Sequence, residues 1–193
     1  TTSILNNLQY TAVDGVLFAL NPSRIKETQN GERSWTAGLR YGLASERLGY
    51  KLKYGELLNR KNYARFSIEA GNYTYQLSEN KPIGALSNSY FTLFRGKNYA
   101  QYYQQKFITA AYGQEFFNGF RLNGQTEFAY RNNLDNATQF TFISAQKKFT
   151  DNLQAIQQVN DQNTLSANYS LKFDLEAAIS FKQRFASYPN RKV

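Results

Sequence analysis

An all-β antiparallel meander, part of a transmembrane outer-membrane β-barrel, is the fold this sequence predicts. Three observations carry the prediction. Apolar and polar residues alternate at period two in segments of about ten residues, the signature of strands with one apolar and one polar face. The apolar positions are loaded with Tyr, Phe and small residues, not the Val, Ile and Leu of a soluble core; Val occurs only as Val13, Val16, Val159 and Val193. Short turns and long polar stretches take turns in joining the segments, as in the two rims of a barrel. The 193 residues form one unit, 1–193, of about eight to ten strands.

The elements follow in order. A weaker alternation covers 15–25, and a polar stretch, Lys26–Arg33, reads as a loop. In 34–44 the odd positions are Trp35, Ala37, Leu39, Tyr41 and Leu43, against Ser34, Thr36, Gly38, Arg40 and Gly42. Ser45-Glu46-Arg47 is a short link to 48–54, where Leu48, Tyr50, Leu52 and Tyr54 alternate with Gly49, Lys51 and Lys53. In 64–71, Ala64, Phe66, Ile68 and Ala70 alternate with Arg65, Ser67, Glu69 and Gly71. Residues 78–105 lose the alternation. Tyr99, Tyr102, Tyr103 and Lys106 stand three or four apart, which predicts a partly helical excursion there. Alternation returns in 106–116 and is cleanest in 120–131. There Leu122, Thr126 and Phe128 share a face expected to meet lipid, and Arg121, Asn123, Gln125 and Glu127 share one expected to line a lumen. Asn118-Gly119 between these runs is the preferred pair for a two-residue type I′ hairpin turn. Asn132–Ala137 and Asp151–Asn163 read as loops, and 138–147, 165–173 and 175–185 as further strands.

Length and aromatic placement favour a membrane. Ten residues at ~3.3 Å cover ~33 Å, or ~25 Å when tilted ~40°, the height of an outer-membrane apolar band. Trp35, Tyr63, Phe120 and Tyr130 fall near strand ends, where a barrel carries its aromatic girdles. No apolar stretch approaches the roughly 20 residues of a transmembrane helix. The opening at Thr1, without initiator Met or signal peptide, is expected of a processed chain or a fragment. The alternative is a soluble β-barrel or sandwich that binds an anionic ligand, a polysaccharide or nucleic acid, to which a net charge of +9 is also suited.

Composition removes most chemistry. The chain has no Cys and no His, hence no thiol nucleophile, no imidazole base and no zinc site of the usual kinds. Glu115 and Glu127 flank the 118–119 turn, nearly opposite each other, but such residues serve more often as lumenal partners of Arg121 or Arg131 than as an acid/base pair. Asp174 and Glu176 share a face and could hold a hard cation; solvated charge is the default for two carboxylates. The basic-aromatic stretch Arg95, Lys97, Tyr99, Tyr102, Tyr103 and Lys106 resembles a stacking platform for single strands, yet no nucleic-acid-binding motif accompanies it. Arg24, Lys26, Arg33, Arg47, Lys51, Lys53, Arg60, Lys61 and Arg65 are expected in the lumen or at lipid phosphates. No catalytic residue, metal or cofactor is expected.

Four patches carry a family likeness. Thr11-Ala12-Val13-Asp14-Gly15 is similar to an "N-T-V-E-G" strand opening. The stretch from Asn80-Lys81-Pro82-Ile83 through Asn88-Ser89-Tyr90-Phe91-Thr92-Leu93 to Asn98-Tyr99 and Tyr103-Gln104-Gln105-Lys106 is similar to "N-P-I…N-x-x-Y-T-L…N-Y-x-K-x-Y-E-K". Tyr130-Arg131 with Leu134-Asp135-Asn136-Ala137-Thr138 is similar to "Y-x-x-R-x-P-L-x-N-T-T". Gln183-Arg184-Phe185, followed by Tyr188-Pro189-Asn190-Arg191-Lys192, is similar to "Q-K-Y-x-x-Y-P-N-x-K". Together these resemble a Bacteroidota outer-membrane barrel family, domain of unknown function 5686, which carries a carboxypeptidase-regulatory-like domain upstream. Ala100, Gln101 and Gln104 depart from its pattern, and no Pro precedes Leu134. The resemblance implies an internal piece of a longer barrel in a bacterial outer membrane. Its partners would be outer-membrane lipid or lipopolysaccharide, with other outer-membrane proteins in a complex. The expected role is scaffold, conduit or complex component.

Overall fold

The computed structural model describes residues 8–29, 31–77, 83–117, 119–143, 149 and 169–179. Nine antiparallel strands form one sheet: β1 (Leu8–Thr11), β2 (Gly15–Leu20), β3 (Ser23–Glu27), β4 (Glu32–Gly42), β5 (Arg47–Asn59), β6 (Ala64–Gln76), β7 (Tyr102–Phe117), β8 (Phe120–Asn133) and β9 (Tyr169–Ile179). Among the described residues there is one helix, α1 (Ala85–Arg95), between β6 and β7. The strand order is β1-β2-β4-β5-β6-β7-β8-β9, with β3 in line with β2 along the same edge of β4. Apart from β2 and β3, which both pair with β4, sequential strands pair, which is the meander the alternation predicts.

Register aligns the two faces across the sheet. Trp35, Tyr54, Ile68, Ala110, Thr126 and Phe173 stand side by side in one row. One residue further on, Thr36, Lys53, Glu69, Thr109, Glu127 and Lys172 form a row pointing the other way. Because the side-chain period is two, five registers that agree keep every apolar row on one face.

Several boundaries differ from the sequence reading. The 15–25 run is two strands, broken at Asn21-Pro22, where Pro has no N–H to give the ladder. The Pro22 carbonyl instead accepts from Ala37. The stretch 26–33 is a tight hairpin and not a loop: Lys26 pairs with Arg33 and Glu27 with Glu32. Within the excursion the helix occupies 85–95, whereas Tyr102, Tyr103 and Lys106 lie in β7, where Tyr102 pairs with β6 and the other two pair with both β6 and β8. Three-or-four spacing of aromatics was thus a poor guide, since the same spacing also fits a strand that alternates imperfectly. Residues 138–143 form no strand and run beside α1. Tyr169–Ile179 is one strand across the division placed at Asp174, with Tyr169, Leu171, Phe173, Leu175, Ala177 and Ile179 alternating against Ser170, Lys172, Asp174, Glu176 and Ala178. The Asp151–Asn163 stretch lies outside the described residues, as do 165–168 and 180–185.

The compact core sits at one end of the sheet, formed by the β1–β2 turn, the β4–β5 turn and the two excursions that follow β6 and β8. Val13 packs with Ala100, Tyr102 and Leu134, joined by Ile83. Helix α1 covers the free edge of β1: the Tyr10 N–H donates to Ser89 Oγ at 2.8 Å, and Ser89 Oγ lies 3.3 Å from the Tyr10 carbonyl. The Thr138 N–H donates to the Ala12 carbonyl at 3.0 Å. An edge otherwise open to another strand is closed there by the chain itself.

Candidate functional site

Exposure is reversed between the two faces. On one face Trp35 is 57% exposed, Phe173 72% and Leu175 76%, and Leu39, Tyr50, Leu52, Ile108 and Phe128 are also exposed. On the other, Arg40 is only 9% exposed and Gln105 4%. The sheet curves around its polar face. A cavity of about 470 Å³ there is lined from Glu32 and Ser34 on β4, through Lys53, Arg65 and Gln125, to Asp174 and Glu176 on β9. A soluble sheet that exposes one face exposes the polar one. This sheet does the opposite.

The apolar face ends in polar residues. On β7, Ile108, Ala110 and Tyr112 lie between Lys106 and Gln114, whose eight-residue separation is ~26 Å of strand, or ~20 Å at a tilt of ~40°. On β4 the apolar run from Trp35 to Tyr41 begins after Arg33, which is bound to Glu56 of β5 at 2.8 Å. Tyr54 gives its hydroxyl hydrogen to the other oxygen of Glu56. By register the belt on β4 is displaced along the strands relative to that on β7, as the stagger of tilted barrel strands requires. Lys106 stands between Asn72 and Tyr130 at the core end of the belt.

Behind this face the polar wall carries an ordered charge network. Glu69 lies 3.5 Å from Lys51 Nζ and 3.7 Å from Lys53 Nζ. Glu127 accepts from Gln105 at 3.1 Å and from Arg131 at 3.2 Å, while Arg131 also donates to Ser170 at 2.7 Å. Rings take the remaining faces of these cations: Lys51 sits 5.0 Å from the Tyr73 ring centre and Arg131 5.9 Å from that of Tyr103. Lys53, Glu69, Tyr75, Gln105, Glu127 and Arg131 line a second cavity of about 530 Å³.

At the core end of this wall stands a buried ion pair. Asp14 binds Arg40 Nη2 at 2.5 Å and Ser45 Oγ at 2.7 Å, and its carbonyl accepts from the Ala44 N–H. The Arg40 guanidinium lies 5.4 Å from the Tyr102 ring centre. Gly42 makes the approach possible, since a Cβ there would fall 2.5 Å from the Asp14 Cβ. Spacing gave no hint of this pair, because its members are 26 residues apart.

The remaining expected positions fall as follows. Leu122, Thr126 and Phe128 stand on the apolar face; Arg121, Asn123, Gln125 and Glu127 stand on the polar one. Gly119 has φ +90°, whereas Asn118 lies outside the described residues. Glu115 faces Arg121 and Glu127 faces Thr109, so the two carboxylates are not opposite each other; counting outward from the turn, and a register shift at 115–117, separate them. Asp174 and Glu176 do share the polar face, with Asp174 3.2 Å from Lys172. Among the described residues no group of three or more Asp or Glu could hold a metal. Of the family-like positions, Tyr103 and Arg131 meet on the polar wall, Asn98 is half-buried, and Tyr99 packs edge-on against Phe91. Asn136 lies in the segment after β8; Gln183, Tyr188, Pro189 and Lys192 fall outside the described residues.

A family model described as "Family of unknown function (DUF5686) C-terminal domain" matches residues 1–193. No curated protein and no solved structure matches the chain.

Proposed function

Since the chain belongs to the DUF5686 family, matched over its full length as that family's C-terminal domain, we propose that it is the wall of an outer-membrane β-barrel, acting as scaffold, conduit or complex component without chemistry of its own. The observation that carries this reading is the reversed sheet: an antiparallel meander whose exposed face is apolar and aromatic, with the charges gathered on the concave side. In water such a face leaves a continuous apolar patch far larger than monomeric proteins tolerate. In lipid it is the favourable arrangement, because strands β4 to β8 are each paired along both edges and so satisfy their backbone groups internally. Lipid or lipopolysaccharide covers the outer face, the bacterial outer membrane is the location, and other outer-membrane proteins are the partners of a complex. A soluble binder of an anionic ligand has less support, since its apolar face would need a second layer.

The test uses strand β8. Thr126 stands between Ala110 and Phe173, above an apolar outer groove also lined by Phe66, Tyr112, Gly124 and Leu175. Gln125, on the other face, is paired with Asp174. Thr126→Arg is expected to cost ~2–4 kcal/mol of stability in lipid, and Gln125→Arg close to nothing. Thr126→Leu, which fills the groove, is expected to be tolerated. Urea titration in bilayers of defined composition reads all three. A clear loss of stability for Thr126→Leu, without one for Gln125→Leu, points to a closed core and rejects the lipid face.

A further inference from the structure

Helix α1 is as reversed as the sheet. Its inward side is small and polar: Asn88 and Thr92 are fully buried, Thr92 bonds back to the Asn88 carbonyl, and Asn88 Oδ1 accepts from the Ala100 N–H. Its outward side is apolar. Leu86, Tyr90 and Phe94, four residues apart, lie on one stripe and are each about half exposed. A helix on the surface of a soluble domain shows the opposite polarity.

The stripe is widened by the segment after β8. Phe142 donates its N–H to the Leu93 carbonyl at 2.8 Å, and Thr141 Oγ1 donates to the same oxygen at 2.7 Å. This holds the Phe142 ring 5.2 Å from Phe94, and Phe140 5.3 Å from Phe142. Phe140 in turn meets Tyr10 of β1, which joins the helix patch to the rim of the apolar sheet face. Along the helix and the chain that follows it, the exposed charges have one sign. Arg95 and Lys97 are exposed at the C-terminal end of the helix, and no acidic residue occurs between 83 and 114.

We propose that α1 and the 138–143 segment form an interfacial anchor that lies flat in the headgroup layer of an anionic membrane leaflet: the Leu86–Tyr90–Phe94 stripe with Phe140 and Phe142 enters the acyl boundary, and Arg95 and Lys97 meet lipid phosphates. Three features select lipid headgroups as the occupant. The patch lies at the core end of the sheet, the end at which Lys106 terminates the apolar belt on β7. It is rich in Tyr and Phe, which favour the boundary between hydrocarbon and water. Its cations complement anionic phospholipid. The inference rests on the membrane reading of the sheet, and fixes the depth and tilt at which this end of the wall sits.

The experiment uses the membrane-inserted protein with single cysteines carrying an environment-sensitive fluorophore, in a background without other cysteines. The positions are Leu86→Cys and Tyr90→Cys on the stripe, Phe173→Cys on the outer sheet face, and Asp135→Cys, an exposed polar site. Vesicles contain phosphatidylglycerol and phosphatidylcholine, with bromines placed either near the headgroup or near the acyl end. Labels at 86 and 90 are expected to be quenched by the shallow bromines and spared by the deep ones. The label at 173 should be quenched by deep bromines, and that at 135 by neither. Arg95→Glu combined with Lys97→Glu should diminish shallow quenching at 86, as should 1 M salt or omission of phosphatidylglycerol. Quenching at 173 without quenching at 86 and 90 overturns the anchor and leaves the barrel wall standing. Loss of quenching at 173 rejects the barrel wall itself. Labels at 86 and 90 that are shielded in detergent micelles as in vesicles, with shielding that rises with protein concentration, assign the patch to a second copy of the chain and also overturn the anchor.

Discussion

Removing the Asp14 carboxylate should be among the most damaging single changes available in the described residues. The Asp14 side chain is 3% exposed and that of Arg40 10%, so neither charge reaches bulk water. Both carboxylate oxygens are used, one by Arg40 and one by Ser45. Asp14→Ala strips the guanidinium of its counter-charge while Tyr102 and the β1–β2 turn still enclose it. Breaking a buried pair from one side costs ~3–5 kcal/mol, because the stranded charge keeps its desolvation penalty. Arg40→Ala strands Asp14 in the same way and also removes a cation from the Tyr102 ring, a contact of ~0.5–2 kcal/mol. The two changes should therefore not add: the double variant removes both charges and should recover ~1–3 kcal/mol relative to the sum of the singles. Urea titration of the folded protein in lipid vesicles, scored by the heat-modifiable gel form, gives all four corners of the cycle. Single variants that each lose less than ~1 kcal/mol, or a double variant equal to the sum, would show that the pair is hydrated or dispensable.

Other consequences are simpler to read. Gly119→Val should reduce folding yield far more than Gly124→Val, since Gly119 holds φ +90° whereas a Cβ at Gly124 meets nothing nearer than Leu175 at 3.8 Å; equal yields would reject the hairpin geometry. Glu69→Gln should cost no more than ~1 kcal/mol in the same titration, because Lys53 is half exposed and Lys51 retains the Tyr73 ring; a loss of several kcal/mol would mean that the wall is dry. Dialysis against a chelator should leave the melting temperature unchanged, and a loss that calcium restores would redirect attention to Asp174 and Glu176.

Much of the sheet was legible because its information is local. Alternation within β4, β5, β6 and β8 states which side chains share a face, and Gly119 after Asn118 states where a two-residue link falls. Alternation does not state which face is concave, and in this protein that decides everything: the same Trp35, Leu52 and Phe128 would be a core in a sandwich and are an outer surface here. That outcome arises from five registers acting together and from curvature, neither of which is a property of any one segment. The partly helical excursion over 78–105 is there, as helix α1 at 85–95, but its exact place was not legible: the helix is polar inward and apolar outward, so aromatic spacing pointed to residues that lie in β7 instead. Strand β9 was divided at Asp174, a charge that only a polar concave wall accommodates in mid-strand. Asp14, Arg40 and Ser45 come together because two turns and a strand meet at one end of the sheet. A pair 26 residues apart exists only once the chain has folded, and so tertiary structure alone could decide it.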